Sequence, residues 1–255
     1  MLHERRYRLP LQALEPVDLD GDGTLTLTLL NPTGGICGGD TLDTCVVLGA
    51  GSRVCLTTPA ASRVYRTVGP AARQTFAASV GDGAVLEYVP DHLIPSPGAR
   101  LVQRTDVVLA NGATAILVDG WVAGRIARGE QWRFAELDLG LSARDERGWL
   151  VRERSVIAGR PDWERLGATD GRPYAGTLVA LSPARTDWDD LTARLGGLGV
   201  AGDDVVLGAT PLARGGVLAR VLARSAPGLR SCLDALWAET RRSLLGLGPL
   251  DLRKL

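Results

Sequence analysis

The sequence predicts a mainly β protein, built mostly from antiparallel strands, with two helices near its C-terminal end. Short runs of β-branched and apolar residues recur about every ten residues, a spacing typical of all-β architectures. The 32 glycines and 14 prolines interrupt these runs as turn residues. With 255 residues, of which 45% are hydrophobic, the chain is long enough to bury a substantial core, and we expect one domain over residues 1–255.

The predicted strands form a β body over about 1–183. Thr24–Leu29 alternates strictly, which places its threonines on one face of a strand and its leucines on the other. The further runs are Thr44–Leu48, Val54–Thr58, Arg73–Val80, Ala84–Val89, Leu101–Leu109, Ala115–Val122, Gln131–Leu141, Leu150–Ile157 and Thr177–Leu181. Asn-Gly at 111–112 favours a tight hairpin turn, and a change of apolar phase predicts a β-bulge near 135–136. We recognise no internal repeat.

The first helix is predicted over about 186–197, followed by strands over about 203–224. Thr186 is the expected N-cap, and the acidic residues that follow favour the positive end of the helix dipole. Its apolar face is formed by Trp188, Leu191 and Leu195.

The C-terminal helix is predicted over about 226–245, with Ser225 as N-cap and Gly246 just beyond its end. Its apolar face either packs on the β body or is covered only by a partner protein. We favour the first alternative, because surface helices normally bury one stripe against their own core. The face consists of Leu229, Leu233, Leu236 and Trp237.

Composition argues against several classes of function. The 29 basic and 29 acidic residues cancel, whereas nucleic-acid binding relies on a concentrated basic patch. No run of about 18 apolar residues predicts a membrane span, and no apolar run follows the arginines near the start, so we expect no secretory signal. The four cysteines lack C-x-x-C spacing, which fits reduced thiols in the cytoplasm.

Catalytic groups are scarce. The two histidines are His3 and His92, no G-x-S-x-G motif occurs, and no Cys/His cluster has the spacing of a zinc site. An enzyme would therefore need a site around His92 and the glycine-rich segment described next.

The segment 31–40 (NPTGGICGGD) contains two Gly-Gly pairs and ends at Asp40. A phosphate cradle is one interpretation, but such cradles open a helix, and a strand is expected here, so we favour a tight loop between strands. Cys37 is either a soft metal ligand or, as we favour, a small buried side chain. The glycines are Gly34, Gly35, Gly38 and Gly39.

Three further segments carry polar groups. Residues 57–66 contain Ser62, Arg63, Tyr65 and Arg66, which either clamp carboxylates or form a solvated surface. Residues 86–100 hold three prolines in an extended crossing, with Glu87, Pro90, Asp91 and His92 as the residues of interest. In 124–130, Gly124 precedes Arg125, which pairs with Glu130 to fix the turn or lines a polar cavity or interface.

Taken in order, these segments resemble the UreD family of urease accessory proteins, also called UreH. The resemblance rests on N-P-x-G-G-x-x-G-G-D at 31–40, T-T-x-x-x-S-R-V-Y-R at 57–66, L-E-Y-x-P-D-x-x-I-P at 86–95, G-R-x-x-x-G-E at 124–130 and Gly216–Arg220 before the final helix. The family often has Lys in place of Arg63 and an aromatic residue in place of Ser96.

The resemblance implies a β-helix-like body of stacked sheets with two helices near the C-terminus. It also implies a cytoplasmic, non-enzymatic nickel chaperone that binds UreF, recruits the GTPase UreG and docks on apo-urease, with a polar tunnel through the protein. A dimer within the accessory complex is possible. We expect no tightly bound cofactor and at most transient nickel(II).

A carrier that must release nickel needs weak oxygen ligands, because a His/Cys cluster would hold the ion too tightly. We therefore expect transient contacts at Asp40, Glu87, Asp91 and Glu130. The residues expected to orient them or to line a tunnel or interface are Gly34, Gly35, Gly38, Gly39, Ser62, Arg63, Tyr65, Arg66, Pro90, Gly124, Arg125 and Arg220. The rival hypotheses are an enzyme around His92 and a scaffold that never touches metal.

Overall fold

The computed structural model describes residues 2–159, 161–198 and 203–254, which form two stacked β-sheets with two α-helices against the larger sheet. The strands are β1 (Gln12–Ala13), β2 (Val17–Asp18), β3 (Leu25–Leu30), β4 (Thr41–Leu48), β5 (Arg53–Thr57), β6 (Ser62–Val64), β7 (Ala72–Val80), β8 (Val85–Val89), β9 (Leu93–Pro95), β10 (Arg100–Leu109), β11 (Thr114–Val122), β12 (Glu136–Asp145), β13 (Gly148–Ala158), β14 (Tyr174–Leu181), β15 (Val205–Pro211) and β16 (Gly216–Ala223). The helices are α1 (Asp189–Gly196) and α2 (Ala226–Leu245), with short 3₁₀ turns at Ile126–Arg128 and Pro161–Glu164.

The first part of the body is a stack of coils. Strands β3, β5, β8 and β11 lie side by side in the larger sheet, and β4, β7, β10 and β12 lie side by side in the smaller one. Each pairs in parallel with its counterpart one coil later, about 30 residues on, as in solenoid proteins. The mainly β, β-helix-like class with two helices is confirmed. The structural repeat has left no recognisable repeat in the sequence.

Pairing within these coils is parallel, so the expectation of mostly antiparallel strands is wrong for this part. Antiparallel pairs flank the stack of coils. At its first edge β1 and β2 pair with β3, and at its last edge β12 pairs with β13, while β11, β14, β16 and β15 follow one another across the larger sheet. Strand spacing misled the prediction, because a short connection can return beside its own strand or cross to the facing sheet.

Four-residue turns carry the chain from the smaller sheet to the larger one along one flank of the coils. The turn at 111–112 is one of them, so the predicted Asn-Gly hairpin is wrong: β10 and β11 lie in different sheets. The turns stack on one another, since the N–H of Gly81 donates to the carbonyl oxygen of Leu48 at 2.9 Å and that of Ala110 donates to Val80 at 2.9 Å. The N–H of Gly112 donates to Asp82 Oδ1 at 2.9 Å.

The predicted bulge near 135–136 does not occur inside a strand, because β12 begins only at Glu136. The N–H groups of Ala135 and Glu136 both donate to the carbonyl oxygen of Ala99, at 2.9 and 3.1 Å. Ala135 and Glu136 thus both lie opposite Ala99 at the point where the chain enters the sheet. The alternation of apolar side chains shifts by one residue there. The register irregularity of β12 lies at Ala143 and Arg144.

Both helices pack on the outer face of the larger sheet. The predicted face of α1 is buried, but its N-cap is Trp188 rather than Thr186, because the Trp188 side chain anchors there and its indole N–H donates to the Arg185 carbonyl at 3.0 Å. In α2, Ser225 Oγ accepts from the N–H of Gly228 at 3.1 Å, and Gly246 ends the helix with φ 67°, as predicted.

The apolar face of α2 packs on its own sheet, which confirms the favoured alternative. Leu229, Leu236 and Trp237 are buried there beside residues of β11, β14 and β16. Neither helix of the described residues is long and apolar enough to cross a lipid bilayer.

Candidate functional site

The four sequence motifs lie along the flank opposite the turns, where the chain crosses from the larger sheet to the smaller one. The crossings are residues 31–40, 58–71, 90–99 and 123–135. They stack in order: the N–H of Ile36 donates to the Arg63 carbonyl at 2.8 Å, the N–H of Ser96 donates to the Val64 carbonyl at 2.8 Å, and β6 pairs in parallel with β9. Motifs far apart in the sequence therefore form one continuous edge.

The glycine pairs are needed for close packing between the first two crossings. A Cβ on Gly35 would lie 2.6 Å from Tyr65 Cε2, and one on Gly38 would lie 2.9 Å from a methyl group of Thr67. Gly34 and Gly39 adopt φ values of 81° and 85°, which favour glycine. The favoured interpretation of a loop between strands is confirmed, since β4 and not a helix follows.

Cys37 and Asp40 close this loop. The carboxylate of Asp40 accepts a hydrogen bond from the N–H of Cys37 at 2.8 Å. Cys37 is exposed, so its expected burial is wrong. The neighbouring Gly38 packs against the next crossing, and this leaves the cysteine side chain at the surface.

The second crossing presents its arginines to solvent. Arg63 and Arg66 are exposed, and neither forms an ion pair within the part of the chain that the structure describes. Arg66 lies along the backbone of Gly98. Tyr65 donates its hydroxyl hydrogen to the Gly34 carbonyl at 3.2 Å, and the N–H of Ser62 donates to the His92 carbonyl at 3.0 Å.

The predicted ion pair of the fourth crossing is confirmed. Arg125 binds the Glu130 carboxylate with both Nε and Nη2, the latter at 2.8 Å from Oε1. Gly124, with φ 126°, lets the chain close, because a Cβ there would lie 2.5 Å from the Glu130 carbonyl oxygen. The pair fixes the loop around the 3₁₀ turn.

Glu87 lies on the helix side of the larger sheet, fully buried. Its Oε2 accepts from the indole N–H of Trp237 at 2.6 Å and lies 3.3 Å from Nε of Arg241, which is also fully buried. Burial raises the pKa of Glu87, although Arg241 opposes the shift. Arg241 also lies 3.3 Å from Asp22 Oδ2.

Asp91 and His92 line a cavity of about 280 Å³ between the third crossing, α2 and the C-terminal tail. Asp91 accepts from Arg230 at 3.1 Å and from Lys254 at 2.8 Å, which ties the tail to this crossing. Burial lowers the pKa of His92. Pro90 lines the same cavity.

The structure does not gather the four carboxylates expected to contact nickel. Within the described ranges, no group of three or more His, Cys, Asp or Glu side chains is placed to hold a metal ion. Asp40 caps a loop, Glu87 and Asp91 each meet cations of the C-terminal part of the chain, and Glu130 meets Arg125.

A polar layer between the two sheets was missed by the sequence reasoning. Phe76 and Tyr88 stack across the gap with ring centroids 3.8 Å apart. Gln74 is the next inward-facing residue of β7 on the side of the crossings. In β11, Leu117 pairs in register with Tyr88, and Asp119 is the next inward-facing residue toward the crossings. Apolar residues fill most other inward positions of these strands.

Further oxygen-bearing side chains surround this level. Gln103 lies beside Gln74 in the sheet, and the side-chain oxygens of both are buried without a hydrogen-bond partner in the described residues. Thr105 is buried on the same face of β10. We call Gln74, Gln103, Thr105, Asp119 and Glu153 the interior polar layer; it divides the apolar interior into a cluster near the turns and another near the crossings.

The interior polar layer reaches the surface at Arg220. Arg220 lies on the same cross-strand row as Asp119, through Thr177 of β14, and its Nη2 is 2.5 Å from Glu153 Oε2 on the facing sheet. Enclosure raises the pKa of Asp119 to about 6, a rise that the Gly120 N–H opposes and the Glu153 carboxylate reinforces. At neutral pH this carboxyl group is therefore closer to the midpoint of its titration than an ordinary aspartate.

Comparisons with known proteins cover nearly the whole chain. The family model described as UreD urease accessory protein matches residues 1–254. The urease accessory protein UreD of Mycolicibacterium gilvum is 34% identical over 243 residues, which cover 94% of this chain and 88% of that protein. The UreD proteins of Delftia acidovorans and Cupriavidus pinatubonensis are 33% and 32% identical, covering 96% and 99% of this chain and 85% and 88% of their own.

Proposed function

Since the chain belongs to the UreD family of urease accessory proteins, which are maturation factors and not enzymes, we propose that it delivers nickel to urease through weak oxygen ligands in its interior. The interior polar layer carries this proposal. It places carboxylate, amide and hydroxyl oxygens where the alternation of the strands would otherwise place apolar side chains. Burying a polar group without a hydrogen-bond partner destabilises the fold, so the presence of these oxygens in the interior calls for a functional reason.

The chemistry of this layer suits a passing ion better than a resident one. Nickel(II) binds nitrogen and sulfur ligands tightly, whereas neutral amide and hydroxyl oxygens bind it weakly. A partly hydrated ion can exchange waters for the oxygens of Gln74, Gln103 and Thr105 and leave again. Asp119 supplies the negative charge that makes entry favourable, and Arg220 at the open end competes with the ion for Glu153.

The partners belong to the same proposal. We expect this chain to act as a scaffold in a cytoplasmic complex with UreF and UreG on apo-urease, with a dimer within that complex as one arrangement. We call the edge formed by the four stacked crossings the crossing edge. A scaffold needs a surface on which partner proteins can dock, and we assign that role to this edge. Nickel is cargo here, and the protein needs no tightly bound cofactor.

The carboxylates predicted from the sequence keep a place in the proposal as transient contacts at the surface. Asp40 and Glu130 lie on the crossings and are partly accessible, so an approaching ion can compete for them. Asp91 would first have to release Lys254 or Arg230. Glu87 would contact an ion only after α2 had moved off the sheet, because its carboxylate is enclosed by Trp237 and Arg241.

The test is co-expression of urease with its accessory proteins and Asp119→Asn of this chain. The substitution keeps the size of the side chain and removes its charge. We expect a severalfold lower nickel content and activity of purified urease, with the accessory complex still assembled in pull-down experiments. The matched control is Asp43→Asn, because Asp43 lies on the outer face of the smaller sheet, where the one side-chain hydrogen bond that it makes in the described residues is accepted from the Thr75 hydroxyl.

Two outcomes separate the alternatives. Normal nickel content with Asp119→Asn, and also with Asp40→Ala and Glu130→Ala, would leave a scaffold that does not touch the metal. Equal nickel content with and without the chain would remove the role in maturation altogether.

A further inference from the structure

We infer that the crossing edge carries a docking surface for an acidic segment of a partner protein, built from Arg63, Arg66, Arg73, Arg100 and Arg133. We call these five residues the arginine belt. The inference uses the proposed function only to choose the partners that are tested.

The belt is continuous across three crossings. Arg66 lies along the backbone of Gly98, whose N–H donates to the Arg133 carbonyl at 2.8 Å. Thr67, next to Arg66, accepts from the N–H of Arg100 at 2.8 Å. The guanidinium groups on either side of Gly98 thus project from backbone segments joined by direct hydrogen bonds.

The remaining two arginines extend the belt in both directions. Arg73 begins the outer face of β7 and pairs in register with Val102, two residues after Arg100. Arg63 pairs in register with Ile94 of the third crossing. All five side chains are exposed.

These cations are not neutralised by their surroundings. About half of the arginines of the described residues form ion pairs, such as Arg125 with Glu130 and Arg214 with Asp145, but none of the five in the belt does so within the described ranges. Among the described residues, Asp40, Glu136 and Glu164 are joined to the belt segments by hydrogen bonding or register. Asp40 already caps its loop, and Glu164 already accepts from the side chains of Gln131 and Trp132. In a chain of zero net charge, this edge therefore has a local positive excess.

An apolar group beside the belt favours a protein as the occupant. Val68 is 82% exposed and follows Arg66 and Thr67 directly, and Pro70 is also exposed. Arginines around an exposed apolar side chain are typical of protein interfaces, where arginine and apolar anchors are enriched.

The belt is also held rigid before a partner arrives. Gly35 and Gly38 bring the first two crossings into close contact, and the second and third are joined through β6 and β9. A rigid, charged surface loses little conformational entropy on binding and accelerates encounter with an oppositely charged partner.

The experiment compares two double charge reversals in the full-length chain. Arg66→Glu with Arg133→Glu changes the belt, and Arg144→Glu with Arg152→Glu changes the opposite end of the same sheet by the same charge. Each protein is titrated with poly-L-glutamate and with poly(U) RNA, and is co-expressed with apo-urease and the other accessory proteins for pull-down. Thermal melts followed by circular dichroism check that both variants fold. A further double variant, Arg66→Gln with Arg133→Gln, removes the two positive charges without introducing negative ones.

We expect the belt variant to bind poly-L-glutamate at least about tenfold more weakly and to lose most of the assembled complex, with the control variant within twofold of the parent. Equal losses in the two variants, undiminished assembly of the belt variant, or a loss confined to poly(U) would overturn the inference. Because Asp119→Asn should lower nickel content without affecting assembly, a failure of the belt is distinguishable from a failure of the conduit.

Discussion

The buried pair between Glu87 and Arg241 allows a sharp test of how α2 is held on the larger sheet. Arg241→Met keeps a long apolar stem and removes the charge. The substitution leaves the fully buried carboxylate of Glu87 without its cation, and the Trp237 indole N–H is then its one polar contact in the described residues. Breaking a buried ion pair from one side costs about 3–5 kcal/mol. We expect a loss of this size in the free energy of unfolding at pH 7.

Two further variants show whether the cost comes from the stranded charge. Arg241→Met combined with Glu87→Leu removes both charges and should recover part of the loss, because an apolar pair of similar volume can replace a buried ion pair. The recovery is incomplete, since the Trp237 indole N–H then lacks its acceptor and Asp22 lacks its cation. Arg242→Met is the matched control: it lies one position further along α2, is exposed, and pairs with Glu239 at the surface. It should change stability by less than about 0.5 kcal/mol.

The dependence on pH adds an independent check. Burial raises the pKa of Glu87 in the folded protein, and removing Arg241 raises it further. The folded state then holds a proton that the unfolded state has already lost, so stability falls as pH rises from the ordinary glutamate range through the raised pKa. Urea unfolding of the Arg241→Met variant at pH 5 and pH 8 should show the smaller loss at pH 5. A loss below about 1 kcal/mol at both pH values, or a double variant no more stable than the single one, would refute the reasoning.

Three further predictions concern the crossings, the smaller sheet and α2. Gly35→Ala should lower stability by about 1–3 kcal/mol because its Cβ would meet Tyr65, whereas Gly248→Ala, with open space around it, should not; thermal melts of both variants decide this. Hydrogen bonds from Arg154 and Arg104 hold the pKa of Asp138 well below its usual range, so Asp138→Asn should cost about 1–2 kcal/mol at pH 7. That stabilisation is fully present above the ordinary aspartate range and is lost as pH falls from that range through the lowered pKa of the folded protein, so urea titrations should show the gap between parent and variant narrowing progressively from about pH 5 to about pH 2; a constant gap would contradict it. Ser225→Ala should cost about 1 kcal/mol of unfolding free energy through its lost cap, with Ser243→Ala nearly neutral.

Local patterns in the sequence predicted local structure well. The cap at Ser225 and the αL residue Gly246 fixed both ends of α2, because each requirement is met by one side chain or one backbone conformation. The ion pair of Arg125 with Glu130 followed from their positions on either side of a short loop. The failures begin where two distant segments meet.

The stacking of the sheets could not be predicted from strand spacing. A four-residue connection after β7 or β10 fits a hairpin as well as a turn to the facing sheet, and only the pairing of β8 with β5 distinguishes them. Asp119 was missed for a related reason. A polar residue at an inward position looks the same in sequence as one at an outward position when both faces of the strand are covered, as they are for β11.

The two flanks of the coils differ in how much change they tolerate. On one flank the three turns have the same length and are hydrogen-bonded into one stack, so a residue added to the middle turn would break contacts in three coils at once. On the other flank the connections already differ in length from coil to coil while the strands stay in register. That flank can therefore accept loops of different length one crossing at a time, and divergence among relatives should fall on crossing positions outside the shared motifs and away from the close contacts of Gly35, Gly38 and Gly124.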